Sequence, residues 1–114
     1  MAVSDSYRDY IVELLEPLAA ISTRRMFGGL GVYANGLFVA LASDDVLYFK
    51  VDDGNRPDFE AAGMAPFRPF GEDRPMQYYE VPADVMEDQE LLGEWLDKSI
   101  AAAENKPAPK KRRR

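Results

Sequence analysis

Asn35-Gly36 stands between two apolar runs, and that arrangement constrains this chain more than anything else in it. A two-residue type I′ turn needs positive φ at both central positions, and Asn-Gly is the pair that adopts it most readily. The flanking segments, Met26 to Tyr33 and Leu37 to Ala42, therefore read as antiparallel strands of one hairpin, the first interrupted by glycines. Leu37 to Ala42 is apolar on both alternating faces, which predicts a central strand covered on both sides. Asp44-Asp45 turns the chain again, and Val46 to Val51 supplies a third strand. The glycines of Gly29-Leu30-Gly31-Val32-Tyr33-Ala34 match a dinucleotide-loop pattern, with Asp52 and Asp53 about twenty residues on. That mechanism requires a helix after the glycines, whose amides hold the pyrophosphate. A hairpin turn follows here instead, so the glycines are expected to serve a bulge or a close backbone approach in a bent strand.

The rest of the chain places helices around these strands. Ser4 or Ser6 can cap a first helix with Asp5 and Asp9 near its positive end, and Tyr7, Ile11, Leu14, Leu15 and Leu18 recur at helical spacing. Pro17 ends or kinks it. Asn55 or Arg56 opens a short helix with Pro57 in its first turn and Gly63 as terminator. Phe67 to Phe70, which contains Pro69, reads as an edge strand, and Met76 to Val81 as another strand stopped by Pro82. A last helix starts around Asp88, with Leu91, Leu92, Trp95, Leu96, Ile100 and Ala103 on one face. The resulting order, α-β-β-β-α-β-β-α, predicts an α+β fold in which an antiparallel sheet packs with helices. One domain over 1–105 and a disordered basic tail over 106–114 are the expected division.

Charge divides the chain in the same place. Residues 106–114 hold six of the 14 Lys and Arg and no acid, which leaves 8 basic against 20 acidic side chains in the first 105 residues, a formal −12. So acidic a body repels phosphate backbones unless its cations cluster. The tail residues Lys106, Lys110, Lys111, Arg112, Arg113 and Arg114 point the other way. If all six met phosphates, the log–log salt slope would be about −5, with weak, sequence-blind binding to DNA or RNA. Folding back on the acidic body, or binding another acidic partner, uses the same charges equally well. The sequence has no cysteine and no histidine, so thiol chemistry, a histidine proton shuttle and a histidine-bearing zinc site cannot be built from this chain. No apolar run reaches bilayer length and no signal pattern opens the chain, so a cytoplasmic location without membrane contact is expected.

Within the body, Arg24 and Arg25 precede the glycines beside Phe27. They read either as a solvated face or as a small basic island for an anionic ligand or an acidic partner. Lys50, at the end of its strand, is expected to pair with Glu80 across strands. Tyr78 and Tyr79 point to opposite faces, one into the core and one exposed. The acid pairs Asp44-Asp45, Asp52-Asp53 and Glu72-Asp73 lack calcium-loop spacing and read as solvated turns, so no metal and no cofactor is expected. Met64, Met76 and Met86 read as core or turn contacts.

The combination of Arg24-Arg25-Met26-Phe27-Gly28-Gly29-x-Gly31, Asn35-Gly36, Phe38, Leu47-Tyr48 and Lys50, followed by Met76-Gln77-Tyr78-Tyr79-Glu80-Val81-Pro82 and a Trp-bearing last helix, resembles the N-terminal domain family of TfoX/Sxy regulators. The resemblance covers about residues 8–104. It implies a secretion-chaperone-like architecture and a setting in bacterial competence, transformation and transcription regulation. The family's full-length members add a C-terminal helical domain, so the expectation is a stand-alone N-terminal domain. No established catalytic residues come with the family. Its most specific positions map to Met26, Phe27, Gly28, Gly29, Gly31 and Lys50, a candidate interaction surface together with Arg24 and Arg25. The implied function is a non-enzymatic regulatory or interaction module acting on a protein partner. The alternatives are weak nucleic-acid binding through the tail, and a small-anion binder or enzyme using the glycine-rich hairpin, Lys50 and the tyrosines.

Overall fold

Nine elements build the fold in the computed structural model, which describes residues 3–26, 28–68 and 77–104. Helix α1 (Asp5–Leu15) starts where the sequence places a cap: the Ser4 hydroxyl accepts the Tyr7 amide at 3.1 Å. Ile11 and Leu15 are fully buried, and the helix ends just before Pro17. Strand β1 (Ile21–Met26) then pairs antiparallel with β2 (Gly29–Ala34), with Met26 opposite Gly29. The expected single strand from Met26 to Tyr33 is thus two strands. The chain reverses at Gly28, whose φ of 77° suits a residue without a Cβ. Arg24 and Arg25 lie inside a strand, not ahead of one.

Asn35 and Gly36 take φ values of 54° and 83°, as the type I′ turn requires, and lead into β3 (Leu37–Ser43). Asp44 and Asp45, at 55° and 57°, repeat the device before β4 (Val46–Lys50). Asp45 also receives the Ser4 amide at 3.0 Å, which ties this turn to the start of α1. The register slips between Val32 and Tyr33, leaving Val39 as the extra residue of β3. The expected bulge therefore exists, but in the strand facing the glycines.

Helix α2 (Arg56–Ala61) carries Pro57 in its first turn, and Gly63 follows it at φ 79°. Strand β5 (Tyr78–Glu80) is three residues long, shorter than the expected Met76 to Val81; Met76 lies outside the described residues. Of the expected Phe67 to Phe70 strand, Pro69 and Phe70 also lie outside them. The described part is an isolated bridge of Pro66 to Tyr79, with the Phe67 amide donating to the Tyr78 carbonyl at 2.8 Å. Pro82 both stops β5 and caps α3 (Ala83–Met86), a four-residue helix too short to show periodicity. Helix α4 (Gln89–Glu104) begins as expected, with the Asp88 carboxylate accepting the Leu91 amide at 3.1 Å.

The sheet order is β1-β2-β3-β4-β5, antiparallel throughout, so β3 is central as expected, but among the described residues helices cover it on one side and not on both, with Phe38 and Leu41 only partly buried. Leu30, Val32, Phe49 and Val51 from the strands join Ile11 and Leu15 of α1, Phe59 of α2, Val85 of α3, and Leu92 and Leu96 of α4 in one core. All four helices therefore lie on the same side of the sheet. The chain is α+β, a five-stranded antiparallel sheet packed with helices. Among the described residues no helix lies on its other face, where the Phe67 ring meets Tyr48 at 4.7 Å.

Candidate functional site: the uncovered sheet face

Side chains alternate along a strand, and residues opposite one another share a face. With Leu30 and Val32 in the core, Gly31 and Tyr33 point the other way. The register then assigns one complete row of the uncovered face: Arg24, Gly31, Leu41, Tyr48 and Glu80. A neighbouring row carries Ser22, Tyr33 and Phe38, continued by Lys50 and Tyr78. In that row the Tyr33 and Phe38 rings stack at 5.2 Å, and Phe38 meets Tyr78 at 5.8 Å. The Lys50 ammonium sits over the Tyr78 ring, 5.2 Å from its centroid.

Lys50 thus stands opposite Tyr78, not Glu80, which faces Tyr48. The expected Lys50–Glu80 pair is replaced by a cation–π contact because the register of β5 puts Glu80 two residues along. Tyr78 and Tyr79 do point to opposite faces, but both are buried, at 7% and 9% exposed. Tyr79 packs against Phe59 in the core and donates to the Glu60 carboxylate at 3.2 Å. Burial pushes the Tyr78 phenol above its ordinary pKa, with the nearby Tyr33 phenol adding to the effect, so at neutral pH it is an uncharged donor.

The glycines of the hairpin serve three different purposes. Gly28 makes the turn. At Gly29 an added Cβ would lie 2.6 Å from the Ala42 carbonyl oxygen, so the two backbones meet there without room for a side chain. At Gly31 it would lie 2.7 Å from the Met26 terminal methyl and 3.1 Å from the Phe38 ring, because Met26 and Phe38 lie over the bare backbone. These glycines lie within the span of a family match: the TfoX N-terminal domain matches residues 13–103. The chain belongs to the TfoX N-terminal domain family. No curated protein matches it. In this TfoX-type domain, Met26, Gly29 and Gly31 build the floor and edge of the uncovered face, and Phe27 lies outside the described residues.

The two arginines of the motif separate. Arg25 falls on the helix-covered side and reaches the start of α1, donating to the Val3 carbonyl at 2.8 Å and to the Asp5 carboxylate at 2.7 Å. Arg24 points to the uncovered face. They do not form one basic island. Elsewhere cations find acids: Arg8 pairs with Asp5 and Asp9, Arg56 with Asp53, and Lys98 with Asp58. Among the described residues Arg24 and Lys50 make no ion pair, and they share one face of a TfoX-type body whose first 105 residues are formally −12. Strand spacing puts their strands about 14 Å apart, too far to clamp one small anion.

Among the described residues no cluster of three metal-ligating side chains occurs, and no helix is long and apolar enough to cross a membrane. A shallow hollow of about 180 Å³ is lined by Tyr7, Asp45, Leu47, Glu80 and Met86, away from the glycines. Sequence reasoning did not single it out; its residues come from three segments, around Tyr7, 45–47 and 80–86. Tyr7 there is pushed up to about 12, by burial first and then by Tyr10, Asp45 and Glu80. A second hollow lies along α1 between Asp9, Glu13 and Glu16. Neither brings the glycine stretch together with Lys50 and the tyrosines. The tail cations Lys106, Lys110, Lys111, Arg112, Arg113 and Arg114 lie outside the described residues.

Proposed function

We propose that the chain is a non-enzymatic regulatory module of the cytoplasm that works by binding another protein through its uncovered sheet face. Family membership supports a TfoX-like module, and transcription regulation in bacterial competence is the setting that membership favours. The observation that carries the contact surface is the segregation of Arg24 and Lys50. Among the described residues neither makes an ion pair, and they stand beside and within an aromatic row that carries tyrosine and phenylalanine. Aromatics, Met and Arg are the residue types enriched at protein interfaces, whereas a hydrolytic or transfer site would gather nucleophile, base and electrophile stabiliser in one cleft. With two unpaired cations on the face among the described residues, the electrostatics favour a protein carrying a few acids over a polyphosphate chain.

Affinity capture from a bacterial lysate, read by mass spectrometry, tests this. The Arg24→Glu/Lys50→Glu double variant should lose partners that the unaltered protein retains. Glu94→Lys, an exposed change on α4, should keep them. Identical captures by all three proteins would overturn the assignment of the face.

A further inference from the structure

The two edges of the sheet are finished differently, and the difference identifies a second feature of the contact surface. At β5 the outward backbone groups are occupied: the Phe67 amide donates to the Tyr78 carbonyl at 2.8 Å, and the Glu80 amide donates to the Ala65 carbonyl at 3.3 Å. At β1 nothing described lies alongside. The Asn35 amide donates to the Ala20 carbonyl at 2.8 Å, and the Ala20 amide donates to the Asn35 side chain at 3.2 Å, so this pair is hydrogen-bonded inward. Antiparallel pairing alternates, so Ser22, Arg24 and Met26 also bond toward β2, and the amides and carbonyls of Ile21, Thr23 and Arg25 face outward. Among the described residues these outward groups have no hydrogen-bond partner.

Natural sheets protect such an edge with proline, a bulge, a covering segment or an inward-pointing charge. Strand β1 runs six residues without proline or register shift. Its Arg25 is turned away to the start of α1. What remains at the edge is Arg24, whose guanidinium has no carboxylate among the described residues, beside the aromatic face.

We propose that β1 is a strand-addition site: an extended segment of an acidic protein pairs with the backbone of Ile21, Thr23 and Arg25, and places a carboxylate beside Arg24. Main-chain bonds supply affinity in this mode and side-chain pockets supply selectivity. A residue of the added strand next to Arg24 points to the uncovered face, so an acid there meets the cation and its neighbours two residues away meet Ser22 and Met26. On the other side the added strand runs past Ile21 and Thr23 below α1, which suits small or β-branched residues. The site rests on the protein-binding reading above and names the partner's chemistry: alternating acidic and β-branched residues in extended conformation.

The test uses the full chain and two probes, an alternating Val-Glu heptapeptide and its Val-Lys counterpart. Amide exchange and chemical shifts are followed by nitrogen-15 NMR. The Val-Glu peptide should slow exchange at Ile21, Thr23 and Arg25 and leave Ser22 and Arg24 amides, already bonded to β2, little changed. Arg24→Glu should weaken that peptide about tenfold and favour the Val-Lys peptide, since an attractive cross-strand pair becomes a repulsive one. Thr23→Pro removes an outward donor without touching the ladder to β2, and should abolish binding. Absence of protection at Ile21, Thr23 and Arg25 with peptide at about 1 mM, where even weak complexes of this affinity form, would overturn the site. So would equal binding of both peptides, or protection of the same amides in dilute protein alone with the sedimentation mass of a dimer, which would make a second copy the occupant. Lysate partners that survive Thr23→Pro but are lost with Arg24→Glu/Lys50→Glu would remove the edge and leave the face standing.

Discussion

The two faces of the sheet are made from the same five strands, and they differ in what they leave unfinished. On the helix-covered face, Leu30, Val32, Phe49 and Val51 meet four helices and are almost wholly removed from water. Polar groups there are matched as well: the buried Ser99 hydroxyl donates to the Lys50 carbonyl at 3.0 Å, and the buried Asn55 amide donates to it at 3.1 Å. On the other face, Tyr33, Phe38, Leu41 and Tyr48 are half-buried, Tyr33 against Phe38 and Tyr48 against Phe67, and among the described residues the two cations find rings or solvent in place of carboxylates. One face is closed by the helices, and the other is the face we propose for contact.

The largest expected effect comes from truncating a residue on each face. Leu96→Ala opens a cavity in the closed core and should cost about 2–5 kcal/mol. Phe38→Ala removes a ring from a half-exposed row and should cost less, about 1–2 kcal/mol, because that site is already partly hydrated. Urea unfolding of both variants checks this. Equal losses would mean that the second face is as closed as the first, and the contrast between them would fail.

A finer comparison lies within the hairpin. Gly29→Ala forces a methyl group against the Ala42 carbonyl, where only backbone can move, and should cost about 1–3 kcal/mol. Gly31→Ala meets the flexible end of Met26, which can swing aside, and should cost less than about 1 kcal/mol. Thermal unfolding separates the two. A reversed order would show that Met26 is held as rigidly as a strand.

These particulars show where the sequence was legible. Asn35-Gly36 was decisive because the turn's demand is local: two positive φ values, satisfied by the two residues themselves. Strand β1 was not legible, since Ile21-Ser22-Thr23-Arg24-Arg25-Met26 sits at an edge with Ile21, Thr23 and Met26 only partly buried, the last out of step with the first two, which leaves no apolar alternation. The Lys50 partner was missed for a related reason. Glu80 is the right type of residue, but register is a tertiary property, set by pairing of Phe49 with Tyr79 and by the Val81 amide bonding to the Leu47 carbonyl at 3.0 Å. Of the candidate surface, Arg24, Met26, Gly31 and Lys50 do share one face. Tyr33, which completes the aromatic row, carries no sequence signal that separates it from an ordinary strand tyrosine. Short α3 offered none either.

The smallest effect is the sharpest, because it compares two neighbouring residues of one type. Arg25→Ala removes a bond to the carbonyl of buried Val3 and an ion pair with Asp5, whose side chain is 79% exposed. The exposed pair is worth little in water, so most of an expected loss of about 1 kcal/mol belongs to the carbonyl bond and should persist in high salt. Arg24→Ala breaks no ion pair and should leave stability within about 0.5 kcal/mol. Chemical denaturation at two salt concentrations measures both, and binding assays should rank them the other way. Adjacent arginines on a strand point to opposite faces by geometry alone. If stability follows Arg25 while binding follows Arg24, that alternation is what divides the motif between holding the fold and meeting a partner.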